Sequence, residues 1–211
     1  MRLFTTPASP WVRKCVVSIM ELGLQDRIEL IPTRWPHSWA TKTVKFDPAF
    51  LDATPVARIP ALVTDQGLRL TDSGVICDYL NAELGGYRLL PAASAARWQM
   101  LSVISITNGL IEAQISRRAE LLRKVSERSN DFIEKMRQRE HRCFAALEPA
   151  AAKFGADVDL AQIAVATACG YADFRYPNDD WRSASPKLAR WFERFSERPS
   201  MRATIPVETQ Q

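Results

Sequence analysis

The chain has 211 residues, with 28 Lys+Arg against 24 Asp+Glu for a formal net charge of +4, and 46% hydrophobic against 25% charged residues. That balance excludes a disordered or membrane-spanning chain, and the length suffices for one large domain or two small ones. Near-equal cations and anions give a mild attraction for small acidic ligands, far short of the dense basic face that nucleic acid demands.

Residues 1–5 read as a short strand. A helix over 11–22 follows, with Val12, Val16, Ile19 and Met20 on one face, and then an extended segment over 28–31. After an irregular stretch from 32 to 55, residues 61–64 and 68–71 flank Asp65-Gln66-Gly67, a connection of hairpin length. Val75, Ile76, Tyr79, Leu80 and Leu84 recur at helical spacing until Gly85-Gly86 stops them. With a short helix before the hairpin, the order is βαβ, α, ββα. Residues 85–94 read as a linker around Pro91. Beyond it only helical patterns remain, over 95–124, 131–154, 159–173 and 186–197. The composition shift divides the chain into an α/β domain over 1–84, a linker over 85–94 and an all-helical domain over 95–211.

The opening stretch carries Arg2, Arg13 and Lys14 without a continuous apolar core, so no secretory signal is read. No apolar run approaches the ~18 residues of a spanning helix, and a cytoplasmic protein without membrane contact is expected. Cys15, Cys77, Cys143 and Cys169 lie far apart with no C-x-x-C, and His37 and His141 are the only histidines. Neither a metal site nor a disulfide framework is expected, and Cys15 and Cys77 read as core thiols. Arg117, Arg118, Arg123, Arg137 and Arg139 interleave with Glu120, Glu134 and Glu140 in the pattern of solvated helices.

Three short motifs carry chemistry. Ser9-Pro10 stands between the first strand and first helix, where Ser caps and Pro occupies the first turn. The same helix end stabilises an anion, and a thiolate presented there has its pKa lowered, with the Ser9 hydroxyl as a donor and Arg13 and Lys14 as exposed basic neighbours. Thr54 to Leu62 contains Ile59-Pro60; a cis bond there would turn backbone N–H and C=O toward an extended peptide ligand. Asp72-Ser73 opens the helix after the hairpin. Either Thr71 or Asp72 serves as its cap, or the pair holds an amino-acid head group, Ser73 on the carboxylate and Asp72 on the ammonium. In the irregular stretch, Lys42 is placed to meet a peptide's terminal carboxylate. Asp159 and Gln162 have the spacing of a capping box and are read as structural.

Taken together, Ser9-Pro10-Trp11-Val12-Arg13-Lys14 resembles the S-P-x-x-R-K start of bacterial cytosolic glutathione S-transferases. Thr54 to Leu62 resembles their N-P-x-G-K-V-P-x-L, and Asp72-Ser73 to Leu80 their E-S-x-A-I-x-x-Y-L. Asp159 to Ala164 with Gly170 to Arg175 is similar to the YibF-like group of that family. The resemblance implies a thioredoxin-like N-terminal domain, an all-α C-terminal bundle, and glutathione as co-substrate with no metal. It further implies a cis Pro60, Ile59 on the cysteinyl backbone, and Asp72 and Ser73 on the γ-glutamyl end. A thiolate activated at Ser9 would attack an electrophilic or reducible second substrate near Trp98, Ser105, Asn108 and Glu112, in a homodimer. A non-catalytic glutathione-binding or protein-interaction module of the same fold is the alternative.

Overall fold

The structure is a computed structural model and describes residues 1–33 and 47–208. A four-stranded sheet opens the chain in the order β2-β1-β3-β4. Strand β1 (Arg2–Thr5) lies parallel to β2 (Glu29–Pro32), with helix α1 (Pro10–Leu22) between them in sequence. Strand β3 (Ala61–Val63) runs antiparallel to both β1 and β4 (Arg69–Thr71). Buried Leu3 and Phe4 make β1 the spine of the sheet. Gly23 ends α1 at φ +71, where its N–H reaches the Met20 carbonyl and the Leu24 N–H reaches that of Ile19, the reciprocal pair of a Schellman stop.

Within the stretch expected to be irregular, Asp47 caps α2 (Pro48–Ala53) by accepting from Ala49 N at 2.9 Å. Helix α3 (Ser73–Tyr79) continues into one π-helical turn, Leu80–Leu84. Buried Asn81 then holds the chain beyond it: its amide donates to Leu90 O at 2.8 Å, and its carbonyl oxygen accepts from Leu89 N and Leu90 N. Leu89 O accepts in turn from Leu160 N, so the connecting segment is fastened at both sides.

The second half is helical: α4 (Ala95–Leu121), α5 (Asn130–Ala151), α6 (Leu160–Arg175), α7 (Trp181–Ala184), α8 (Pro186–Ser196) and α9 (Pro199–Arg202). This is the expected architecture of a thioredoxin-like α/β domain followed by an all-α domain. The four-residue helices α7 and α9 were not expected, being too short to show a period. Helix α6 is buried from Leu160 to Ala172, the signature of a core helix, and it packs against α4 and, across the domain boundary, against α1.

Two expectations about charge are corrected. Arg13 and Lys14 are not exposed: α1 is covered on several sides, and Lys14 is only 1% accessible. Arg13 donates to Met201 O at 3.0 Å and Thr204 Oγ1 at 3.2 Å, and burial lowers its pKa to about 10. Arg117 and Glu140, read as solvated, are 7% and 4% accessible and meet at 3.1 Å between α4 and α5, with Asp179 on the same guanidinium. Between the halves, Glu21 meets Arg198 at 2.8 Å and Asp78 meets Arg97 at 2.8 Å.

Candidate functional site

Register assembles the three motifs. Phe4 pairs with Ala61, and Ala61 with Thr71, so one row crosses β1, β3 and β4. Residues following β1, preceding β3 and following β4 therefore all emerge at one end of the sheet. These are the segment leading to Ser9, the Ile59-Pro60 pair, and Asp72-Ser73. The tight turn after β3 and the chain start lie at the opposite end, where the Met1 amine meets Asp65 at 2.7 Å.

At Ser9 the helix cap and the candidate chemistry coexist. Its Oγ accepts from Val12 N at 3.3 Å, and its carbonyl accepts from Arg13 N at 3.0 Å. The hydroxyl proton has no acceptor among the described residues and is available to an anion at the helix start. Pro10 contributes no N–H, while the Trp11 N–H has no described partner and adds to the positive end of α1.

Ile59-Pro60 is a cis peptide bond, with Pro60 buried and Ile59 half-buried against Phe4 and Phe50. Asp72, rather than Thr71, caps α3: Oδ1 accepts from Gly74 N at 2.7 Å and Val75 N at 3.3 Å. Its φ of +71 is a region non-glycine residues rarely adopt. A Cβ on Gly74 would lie 3.0 Å from Oδ1, so glycine leaves room for that carboxylate. Among the described residues only one carboxylate oxygen is engaged. The Ser73 hydroxyl has no partner among the described residues, and its carbonyl lies 3.7 Å from Cys15 Sγ.

Trp98, Ser105 and Glu112 recur every seven residues on α4, with Asn108 between them on the same side. Among the described residues, Asn108 alone of the four has a hydrogen bond to the first half of the chain, accepting from Lys14 Nζ at 3.3 Å. Trp98 is 71% accessible, and Glu112 pairs with Arg139 at 3.6 Å. Sequence patterning marked Lys14 as a basic neighbour of Ser9 but gave no signal for its contact with Asn108; its ammonium also lies 5.0 Å from the Trp11 ring centre. Lys42 lies outside the described residues.

Asp159 accepts from Gln162 N at 2.8 Å, and burial raises its pKa. The Gln162 amide does not reach back to the Asp159 N–H; it donates to the carbonyls of Gly155 and Asp157, leaving half of the expected box. Among the described residues no group of histidine, cysteine or acidic side chains could hold a metal ion, and no helix is long and apolar enough to cross a membrane.

Residues 8–83 match the family model described as glutathione S-transferase, N-terminal domain, and residues 130–194 match that for the C-terminal domain. An uncharacterized GST-like protein of Escherichia coli K12, YibF, is 26% identical over 209 residues, 98% of each chain. A glutathione transferase family member from Pseudomonas fluorescens Pf-5, solved with bound glutathione, is 38% identical with a TM-score of 0.90, covering 98% of this chain and 99% of that one. A structure of a family member from the same bacterium with bound S-(propanoic acid)-glutathione is 37% identical, with a TM-score of 0.85 over 99% of this chain and 100% of that one.

Proposed function

The chain belongs to the glutathione S-transferase family, and on that premise we propose that it binds glutathione at the shared sheet end and activates its thiol for attack on a second substrate. Residues 1–84 form the glutathione-binding domain, 85–94 the linker and 95–211 the helical partner. The tripeptide's sulfur lies at the start of α1, its cysteinyl backbone along Ile59-Pro60, and its γ-glutamyl end at Asp72 and Ser73. Lys42 takes the other terminal carboxylate.

The observation that carries this reading is the unused donor capacity at Ser9. The cap consumes the acceptor side of the hydroxyl and leaves its proton for an anion. A free thiol has a pKa of ~8.5, so little is ionised at neutral pH, and each unit of lowering corresponds to ~1.4 kcal/mol of preference for the anion. Ser9 and the helix end provide that preference, while Asp72 and Ser73 fix the far end of the ligand and make the encounter effectively unimolecular. The second oxygen of Asp72 is the group for the ammonium, since the first is occupied by the helix.

The second substrate lies against the α4 stripe of Trp98, Ser105, Asn108 and Glu112. The ligand of the Pseudomonas relative carries a substituent on glutathione sulfur, which supports carbon–sulfur bond formation as the reaction. The thiolate attacks the electrophilic carbon, the carbon–sulfur bond forms, and the leaving group or displaced electron pair takes the proton released by the thiol.

Ser9→Ala is expected to lower kcat at least tenfold and raise the pKa of the bound thiol, with glutathione affinity nearly unchanged. Thiolate absorbance across a pH titration reads this directly. Unaltered turnover with an unaltered bound-thiol pKa would remove Ser9 from the chemistry. Glutathione that binds but is never consumed across several electrophiles would assign the chain to binding alone. The active form is a homodimer located in the cytoplasm; sedimentation at micromolar concentration returning the monomer mass of 23.8 kDa would reject the dimer.

A further inference from the structure

We propose that Cys15 and Cys77 are an internal dithiol that a small hydroperoxide oxidises to a disulfide, tying α1 to α3 directly beneath the two helix starts of the site. The sulfurs lie 3.7 Å apart, one on each helix, against about 2.05 Å when bonded. Neither Cys143 nor Cys169 has a sulfur neighbour of this kind among the described residues. The Cys15 sulfur also lies 3.7 Å from the carbonyl of Ser73, so the pair adjoins a residue of the site rather than an inert part of the core.

The surroundings favour a division of labour. The Cys77 thiol is held below its ordinary value by its hydrogen-bonded contact with Cys15, with the Lys14 ammonium adding to the effect, whereas burial pushes Cys15 well up. Ser18 Oγ lies 3.6 Å from Cys77 while giving its own proton to Lys14 O at 2.8 Å. Both sulfurs are 0% accessible. That enclosure admits a reagent the size of hydrogen peroxide through local opening and refuses a disulfide the size of oxidised glutathione.

The chemistry balances in two steps. The Cys77 thiolate attacks one peroxide oxygen, the O–O bond breaks, and hydroxide leaves as water after taking a proton, giving a sulfenic acid. Cys15 then loses its proton and attacks that sulfur; the S–S bond forms, the S–O bond breaks, and a second water leaves. Two thiols have lost two electrons and two protons, and the peroxide has become two waters. Closing the bond draws the Cys15 sulfur away from Ser73 and shifts α1 against α3. The resulting change in glutathione binding rests on the functional reading above.

The full chain is treated with hydrogen peroxide, alkylated in denaturant, digested and mapped by mass spectrometry. The expected product is a linked Cys15–Cys77 peptide, released by dithiothreitol, absent from Cys15→Ser and Cys77→Ser, retained in Cys143→Ser, and not formed by oxidised glutathione. Half-buried Cys143 gauges the dose: recovery of Cys15 and Cys77 as separately alkylated peptides after Cys143 has been oxidised overturns the proposal. Glutathione affinity in the oxidised chain should fall several-fold and return on reduction. An unchanged affinity alongside the linked peptide overturns the coupling to the site. Failure of the reduced chain to bind glutathione overturns the functional reading alone, because the linked peptide is scored without that ligand.

Discussion

Asp72 caps α3 with one oxygen and is proposed to meet the ammonium with the other, and substitutions can separate the two roles. Asn keeps an acceptor for Gly74 N and Val75 N and tolerates a positive φ, but it cannot pair with an ammonium. Asp72→Asn is therefore expected to raise KM for glutathione several-fold while leaving the melting temperature nearly unchanged. Asp72→Ala should in addition lose about 1 kcal/mol of stability with the cap. Equal KM values for the wild type and Asp72→Asn would place the γ-glutamyl end elsewhere. Ser9 was legible in the sequence because a cap is a local signal that depends on a few neighbours, whereas the cap of α3 stayed open between Thr71 and Asp72 and a cis Pro60 was implied only by the family resemblance. The burial of Lys14 was not legible. A cation inside a helix reads as solvated until the packing of another domain is known, and nothing within several residues of Lys14 announces Asn108.

Among the elements, α4 and α5 were legible as helices, but the contact between them was not, because Arg117 and Glu140 are 23 positions apart. Their pairing places a carboxylate where burial outweighs the attraction of Arg117 and raises its pKa from 4.5 to about 7. The folded form thus holds this proton more tightly than the unfolded chain. The stabilisation is complete below about pH 4.5 and is lost as pH rises through about 7, a change on the order of 3 kcal/mol. Glu140→Gln should flatten that part of the stability profile, with Asp179 still accompanying Arg117. Denaturant melts of both proteins at pH 5 and pH 8 check it; parallel losses in the two would assign the pH dependence to other groups. The tiny helices α7 and α9 escaped sequence reading for a different reason. Four residues complete barely one turn, and α7 is held by Trp181, whose indole donates to Asp173 and whose ring stacks on Phe144 at 4.9 Å.

For the whole molecule, the change from strands to helices was visible in the sequence, whereas the way the two halves fasten was not. Gly170 on α6 faces Arg13 on α1 so closely that a Cβ would stand 2.3 Å from the guanidinium. Arg13 is anchored to Met201 and Thr204 and has little freedom to retreat. Gly170→Ala should cost about 1–3 kcal/mol in the wild type and much less when Arg13 is already Ala. That double-mutant cycle measures the coupling between domains, and strictly additive losses would show that the close approach relaxes freely. The sheet register has a practical corollary as well. Because β3 and β4 are so short, the exposed bend at Gln66 lies only a few residues from the sheet end proposed to take glutathione, yet it belongs to the opposite rim. A chemical handle placed there would attach the protein to a sensor surface with the proposed glutathione site turned to the flowing sample, whereas a handle at Val75, beside Asp72-Ser73, would turn that site against the support.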